Sequence, residues 1–274
     1  MEQNFLMSNK PIGVFDSGVG GLTVLKRLAT ELPNENYLYF GDTARVPYGE
    51  KTKEQLFDIA KEILDWYKSK DVKAVIMACN TSSAVVLDDL KNDYDFPIFG
   101  LIQPTAEYIA YSNVERVGVI ATTATASSKA YSKAINKLNP DIKVFETACP
   151  GLVEIVESNK IETYEAKKLV IKYIMPLLEK EVDRIILGCT HYPYLREIIN
   201  TLTNNNEMII DPAEHLTLKV AEELTLIDLI NDTSEGKREY FVSSNAPMFE
   251  EVGRHFYKDC KDVKEISLIE ALKI

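Results

Sequence analysis

Long hydrophobic runs are absent from this chain of 274 residues. No window of about 18 apolar residues occurs, which is the length that a membrane-spanning helix needs, so the sequence predicts no membrane span. The first residues, Met1 to Lys10, also lack the apolar segment and cleavage pattern of a secretory signal. We therefore expect a cytoplasmic protein.

An excess of basic residues is also absent. Lysine and arginine number 31 against 42 aspartates and glutamates, and the net charge is −11. No basic stretch compensates for this charge, so a nucleic-acid or anionic-membrane partner is not expected. An acidic chain that binds an acidic small molecule must do so with backbone N–H groups and hydroxyls.

Cysteine is scarce, with four residues at irregular spacings and no C-x-x-C pair. In a chain of this size such a pattern indicates reduced thiols rather than a disulfide framework. The composition, 46% hydrophobic and 27% charged, is typical of a globular protein with a substantial core. The length allows one large domain or two of ordinary size.

The most informative stretch is Val72 to Ser83. Ala74 to Ala78 is a continuous apolar run, which predicts a strand buried on both faces of a parallel sheet. Cys79-Asn80-Thr81 follows as a polar turn, and an apolar-periodic stretch to Leu90 then predicts a helix. The thiol thus stands at the carboxyl end of a strand, where open α/β sheets bind ligands.

The same plan recurs at Val182 to Pro193, where Cys189-Thr190 follows an apolar strand. The hydroxyl-rich turn from Thr122 to Ser128, after a strand at Arg116 to Ala121, likewise resembles the turn that begins at Asp16. We therefore predict an α/β fold of two similar doubly wound domains with mainly parallel sheets and an active site in the cleft between them. The predicted domains are residues 1–101 together with the returning segment 211–274, and residues 102–210.

Several elements are predicted along this chain. Helices are expected at 52–67, 130–138, 164–178 and 248–257, and Asp211 and Pro212 begin another, with the aspartate as cap. A loop is predicted from Ala148 to near Glu157, and a last short strand from Glu265 to Leu268.

Two facing thiols suit one reaction in particular. A carbon held between them loses a proton to one sulfur and gains a proton from the other on the opposite face, which inverts its configuration. The thiolate is the active base, and a helix start or a nearby cation lowers the pKa of a thiol. Both Cys79 and Cys189 precede predicted helices, with Asp16 and His191 as polar neighbours.

Other interpretations remain open at this point. Cys79 and Cys189 would also suit a redox disulfide, and with His191 they would make a zinc site that lacks one ligand. Asp16 and Ser17 would serve equally as helix caps, and their glycine-rich turn does not have the G-x-G-x-x-G spacing of dinucleotide sites. Cys149 and Cys260 are expected to be small buried hydrophobes.

Four segments at the predicted strand ends resemble the glutamate racemase family, in the family's order. They are FDSGVGGLT from Phe15, GDTARVPYG from Gly41, ACNTS from Ala78 and GCTHYP from Gly188. The resemblance extends over nearly the whole chain and is weakest in the first ten residues and around Asn231 to Gly236.

The resemblance implies a cofactor-independent, metal-free racemase that interconverts L- and D-glutamate for peptidoglycan, and a homodimer. It implies that Cys79 takes the α-proton from D-glutamate and Cys189 from L-glutamate, assisted by Asp16, His191 and Glu157. The residues implied to line the substrate site are Asp16, Ser17, Tyr48, Gly49, Asn80, Thr81, Thr122, Thr125 and Thr190. A racemase of aspartate and a non-catalytic amino-acid binding protein are the remaining alternatives, and Glu157 would also serve as a simple helix cap.

Overall fold

The strands form two open sheets in the computed structural model, which describes residues 6–232 and 235–272. The first sheet contains β1 (Ile12–Asp16), β2 (Tyr37–Gly41), β3 (Ala74–Met77), β4 (Ile98–Gly100), β9 (Arg238–Val242) and β10 (Lys264–Glu265). The second contains β5 (Arg116–Ala121), β6 (Lys143–Ala148), β7 (Arg184–Gly188) and β8 (Ile209–Ile210).

The two sheets share one plan. The order β2-β1-β3-β4 in the first matches β6-β5-β7-β8 in the second, and all the described strand pairs are parallel. Strand β3 is fully buried, as the apolar run predicted, because helices cover both faces of such a sheet. The predicted fold class of two similar α/β halves with parallel sheets is confirmed.

Helices connect the strands. They are α1 (Leu22–Glu31), α2 (Lys53–Ser69), α3 (Asn80–Val85), α4 (Leu87–Leu90), α5 (Ile102–Ala110), α6 (Thr123–Ser128), α7 (Ala130–Leu138), α8 (Leu152–Glu157), α9 (Tyr164–Leu178), α10 (Arg196–Thr203), α11 (Pro212–Leu226), α12 (Ala246–Phe256) and α13 (Leu268–Ala271). Within the described ranges, none of them is long and apolar enough to cross a membrane.

Local signals explain where these helices begin. Thr52 and Gln55 form a capping box at the start of α2, in which each side chain accepts from the other residue's backbone N–H. The Asp211 side chain accepts from Ala213 N, and Pro212 opens α11, as predicted. The helical prediction at 248–257 is confirmed in kind, although α12 starts two residues earlier.

Several predictions of secondary structure are wrong. The polar turns predicted at Cys79 to Thr81 and at Thr122 to Ser128 are largely helical, since α3 begins at Asn80 and α6 at Thr123. The segment predicted as a loop up to Glu157 contains α8, whose Leu152 and Val156 are one turn apart and bury their side chains together. The predicted strand from Glu265 to Leu268 is a strand only to Glu265, because Leu268 is buried as the first residue of α13.

The C-terminal segment joins the first sheet, since β9 pairs with β2 over Tyr37 to Gly41 and β10 pairs with β9. Helix α11 lies against both α1 and α5 and so contacts both halves. Residues 1–5, 233–234 and 273–274 lie outside the described residues. The division into 1–101 with 211–274 and 102–210 stays a prediction.

Candidate active site

The strand registers bring the two cysteines to matching sheet edges. Phe15 of β1 is the partner of Met77 in β3, and Ile120 of β5 is the partner of Leu187 in β7. Cys79 lies two residues after Met77, and Cys189 lies two residues after Leu187. Both cysteines therefore stand at the carboxyl end of a parallel strand. This is the edge at which parallel α/β sheets bind ligands.

One cavity, of about 110 Å³, lies between these two edges. It is lined by all the predicted site residues except Thr125, namely Asp16, Ser17, Tyr48, Gly49, Cys79, Asn80, Thr81, Thr122, Glu157, Cys189, Thr190 and His191. Both halves therefore contribute residues to the same cavity.

Thr125 supports the cavity wall from behind. It is fully buried, and its hydroxyl lies 3.0 Å from that of Thr122, which in turn lies 3.0 Å from the Thr81 hydroxyl. These three hydroxyls bridge the halves, because Thr81 belongs to α3 and the other two follow β5.

Cys79 lies in an environment that favours the neutral thiol. Only 5% of the residue is exposed, and burial together with the nearby Asp16 carboxylate raises the pKa of Cys79 to about 12. Its place at the N-cap of α3 predicted a lowered pKa. That prediction is wrong, because desolvation of the charged sulfur outweighs the pull of a short helix.

The two carboxylate oxygens of Asp16 have different roles, one in the turn before α1 and the other in the cavity wall. Its Oδ2 accepts from Gly21 N at 2.8 Å and from Gly18 N at 3.2 Å, so it holds the turn before α1. Its Oδ1 is buried and has no hydrogen-bond partner among the described residues. Burial raises the pKa of this carboxyl above its ordinary value. An acceptor oxygen is thus left available in the cavity wall.

Cys189 has a different neighbour. Its Sγ lies 3.7 Å from His191 Nδ1, and His191 Nε2 lies 3.0 Å from Glu157 Oε1. Burial alone would lower the pKa of His191, but the contacts with Cys189 and Glu157 outweigh burial and raise that pKa to about 10. A cationic imidazole therefore lies beside the second thiol at neutral pH. A 3-10 turn, Tyr192–Leu195, then leads into the predicted helix.

Close packing of a glycine loop fixes this histidine. A Cβ on Gly20 would overlap both the His191 ring and the Thr190 hydroxyl. Thr23, at the start of α1, donates its hydroxyl to Thr190 O at 3.1 Å. The loop after β1 therefore lies directly against the segment that carries Cys189.

Asp42 is a functional candidate that the sequence reasoning missed. It is fully buried, and it accepts from Tyr48 Oη at 2.5 Å, from Arg45 Nε at 2.7 Å and from Ser243 Oγ at 2.9 Å. It thereby ties the loop that carries Tyr48 and Gly49 to the end of β9. Its place in the segment GDTARVPYG was the available signal.

Cys149 is buried, as predicted, and it also lines the cavity beside the segment that leads into α8, which was not predicted. Its sequence position directly after β6, at the same sheet edge as the other site residues, was the missed signal. Burial raises its pKa to about 12. Cys260 is fully buried, as predicted, and does not line this cavity. The other lining residues not foreseen are Val46, Pro47, Glu50, Thr123, Pro150, Gly151, Val153, Glu154 and Tyr192.

The four cysteines are all free thiols. Across residues 6–232 and 235–272, no group of three or more histidine, cysteine or acidic side chains is arranged to hold a metal ion. His215 and His255 lie on α11 and α12, outside the cavity.

Comparison with known proteins agrees with this geometry. The sequence model of the family described as Asp/Glu/Hydantoin racemase matches residues 12–219. A glutamate racemase of Trichodesmium erythraeum is 42% identical over 264 residues, which are 96% of this chain and 97% of that protein.

Two crystal structures are similar in fold and sequence. Glutamate racemase from Francisella tularensis, in complex with D-glutamate, superposes with a TM-score of 0.89 at 34% identity, covering 96% of this chain and 99% of that one. Glutamate racemase isoform RacE1 from Bacillus anthracis gives a TM-score of 0.91 at 32% identity, covering 95% and 98%. The resemblance found in the four strand-end segments is confirmed: the chain belongs to the Asp/Glu/Hydantoin racemase family and is an isomerase, an amino-acid racemase.

Proposed function

We propose that this chain interconverts L- and D-glutamate by proton transfer through two cysteines. One observation carries the proposal: each half contributes one strand-end thiol, Cys79 or Cys189, to the same cavity. The similarity to glutamate racemases, one of them bound to D-glutamate, supports glutamate as the substrate.

The polar groups of the cavity match an amino acid with two carboxylates. Residues with hydroxyl and amide donors line the wall, and Gly49 of the neighbouring loop lines it as well. Such donors bind carboxylates without an arginine. The open Oδ1 of Asp16 suits the substrate ammonium, because it is a buried acceptor with no partner in the described part of the chain. The lining donors are Ser17, Tyr48, Asn80, Thr81, Thr122 and Thr190.

In each turnover one of the two cysteines gains a proton and the other loses one. For L-glutamate, the Cys189 thiolate takes the α-proton and becomes a thiol, while the Cys79 thiol gives its proton to the opposite face and becomes a thiolate. For D-glutamate the two sulfurs exchange roles. Fixed dipoles in the cavity wall stabilise the carbanion-like transition state. His191, Glu157 and Asp16 assist by holding the charges beside each sulfur.

Proton NMR in heavy water tests this function. Reduced protein is mixed with L-glutamate, or with L-aspartate in parallel, and no pyridoxal phosphate is added. Loss of the glutamate α-proton signal with the appearance of D-glutamate is the expected result. Exchange of the aspartate α-proton alone would show that aspartate, not glutamate, is the substrate. Exchange of neither α-proton would overturn the proposed reaction.

We also propose, on the family resemblance, that the enzyme works without a cofactor as a cytoplasmic homodimer and supplies D-glutamate for peptidoglycan. The expected results are a dimer mass by light scattering and growth of a D-glutamate-requiring bacterium that expresses the chain. A monomer mass, or growth only with added D-glutamate, would contradict these two points.

A further inference from the structure

A buried tyrosine outside the cavity contacts a residue of the cavity wall. Tyr131 lies on α7 of the second half and is fully buried. Its hydroxyl lies 2.7 Å from Oδ1 of Asn80, which is the first residue of α3 in the first half. Asn80 lines the cavity, whereas Tyr131 does not. The contact therefore joins the two halves just behind the cavity.

This contact determines which end of the Asn80 amide faces the cavity. Within the described residues, Asn80 Oδ1 is the one hydrogen-bond acceptor for the Tyr131 hydroxyl. Burial raises the pKa of Tyr131 well above its ordinary value, so the phenol keeps its proton. If the amide were reversed, that buried proton would face Nδ2, which cannot accept it. A buried donor without an acceptor is costly, so the observed orientation is favoured.

We propose that Tyr131 is a positioning residue that holds the Asn80 amide with its Nδ2 donors directed at a substrate carboxylate. The inference rests on the proposed function, in which the cavity binds a dicarboxylic amino acid. The reversed amide would present Oδ1 to the carboxylate, and two acceptors repel each other. Tyr131 thus acts on the substrate only through Asn80.

The first test is Tyr131→Phe, which removes one oxygen and leaves the ring. The value of kcat/KM for glutamate is expected to fall about tenfold, the effect of one hydrogen bond to a charged group. The matched control is Tyr37→Phe. Tyr37 is also a buried tyrosine, its hydroxyl donates to Leu32 O at 3.0 Å, and it does not line the cavity. The control is expected to stay within about twofold of wild type, and an equally small effect of Tyr131→Phe would overturn the proposal.

A double-mutant cycle separates positioning from general support of the fold. In an Asn80→Ala background there is no amide to orient, so adding Tyr131→Phe is expected to change kcat/KM by less than about twofold. The same tenfold fall in that background would show that Tyr131 acts independently of Asn80, and the proposal would be wrong.

A third measurement needs neither turnover nor a folded variant. In labelled wild-type protein, the Asn80 amide protons are expected to give weak nuclear Overhauser contacts with the Tyr131 ring, since Oδ1 faces the phenol. Strong contacts would mean a reversed amide and would overturn the proposal. If wild type exchanges neither glutamate nor aspartate, the proposed function fails, and this measurement still decides the orientation.

Discussion

The two halves place a cysteine at the same point of the same sheet plan but surround it differently. Asp16 directly follows Phe15, the residue of β1 that pairs with Met77 of β3. Ala121 holds the equivalent place in the second half, because it directly follows Ile120, which pairs with Leu187 of β7. Two residues after the cysteine, the first half has Thr81 and the second has His191. One sulfur therefore has a carboxylate as its polar neighbour and the other has an imidazole.

This difference affects negative charge on the two sulfurs in opposite ways. A carboxylate near Cys79 favours the neutral thiol, and the raised pKa of Cys79 agrees with this effect. An imidazolium beside Cys189 stabilises negative charge on that sulfur. Because L- and D-glutamate have equal free energies in water, kcat/KM must nevertheless be equal in the two directions for any variant.

The largest effect is expected from removing either thiol. Cys79→Ser and Cys189→Ser should each lower racemisation by about 10²–10⁴-fold or more, since each removes a proton-transfer group. Polarimetry with both enantiomers measures this loss. Cys260→Ser, at a buried thiol outside the cavity, is the control and should retain activity. Near-normal turnover in either site variant would rule out the two-base mechanism.

His191→Asn is expected to have the next largest effect. It removes the imidazole that distinguishes the surroundings of Cys189 from those of Cys79. It should lower kcat about 10²-fold, because the thiolate loses its cationic partner. The pKa of His191 is raised from 6.5 to about 10, so the imidazolium is present at neutral pH and is lost as the pH rises through about 10. Wild-type activity should therefore fall near that pH. An unchanged alkaline limb in the variant would show that another group causes it.

Asp16→Asn tests the polar neighbour of Cys79, and its expected effect on activity is smaller. We expect about a tenfold fall in kcat/KM, the effect of one charged contact. The amide oxygen still accepts from Gly21 N, so the fold should persist. Burial raises the pKa of Asp16, so its ionised form destabilises the folded protein above that pKa. The thermal midpoint of the variant should thus equal or exceed that of wild type at pH 7, with the difference shrinking as the pH falls. A clearly lower midpoint at pH 7 would contradict this account of Asp16.

Glu157→Gln should give the smallest effect. The Glu157 side chain is 42% exposed, so solvent screens its charge, and glutamine retains an acceptor for His191. We expect about a threefold fall in kcat. The loss of the carboxylate should also move the alkaline limb to lower pH, because Glu157 helps to raise the pKa of His191. A pH profile that matches wild type would remove Glu157 from the charge network.

Much of the fold and the site could be predicted from the sequence because local patterns carry them. Buried parallel strands appear as apolar runs, and the rule that ligands bind at strand ends led from Cys79 and Cys189 to one cavity. The duplicated plan made the turn at Thr122 the counterpart of the turn at Asp16, and both turns contribute to the cavity wall. These predictions depend on residues close together in the chain.

The features that the sequence did not predict depend on tertiary surroundings. The raised pKa of Cys79 comes from burial, which a helix-start argument does not include. Asp42 and Tyr131 act through partners far away in sequence, Ser243 in one case and Asn80 in the other. Cys149 is buried as predicted, but its position in the cavity wall was missed because its strand end was not compared with the others.

The most direct test of the central claim is wash-out of the α-proton from each enantiomer of glutamate in heavy water by the two serine variants. With one base per face, Cys79→Ser should exchange the α-proton of L-glutamate only, and Cys189→Ser that of D-glutamate only, both without inversion. Exchange of both enantiomers by either variant would show that one base serves both faces and would contradict the account.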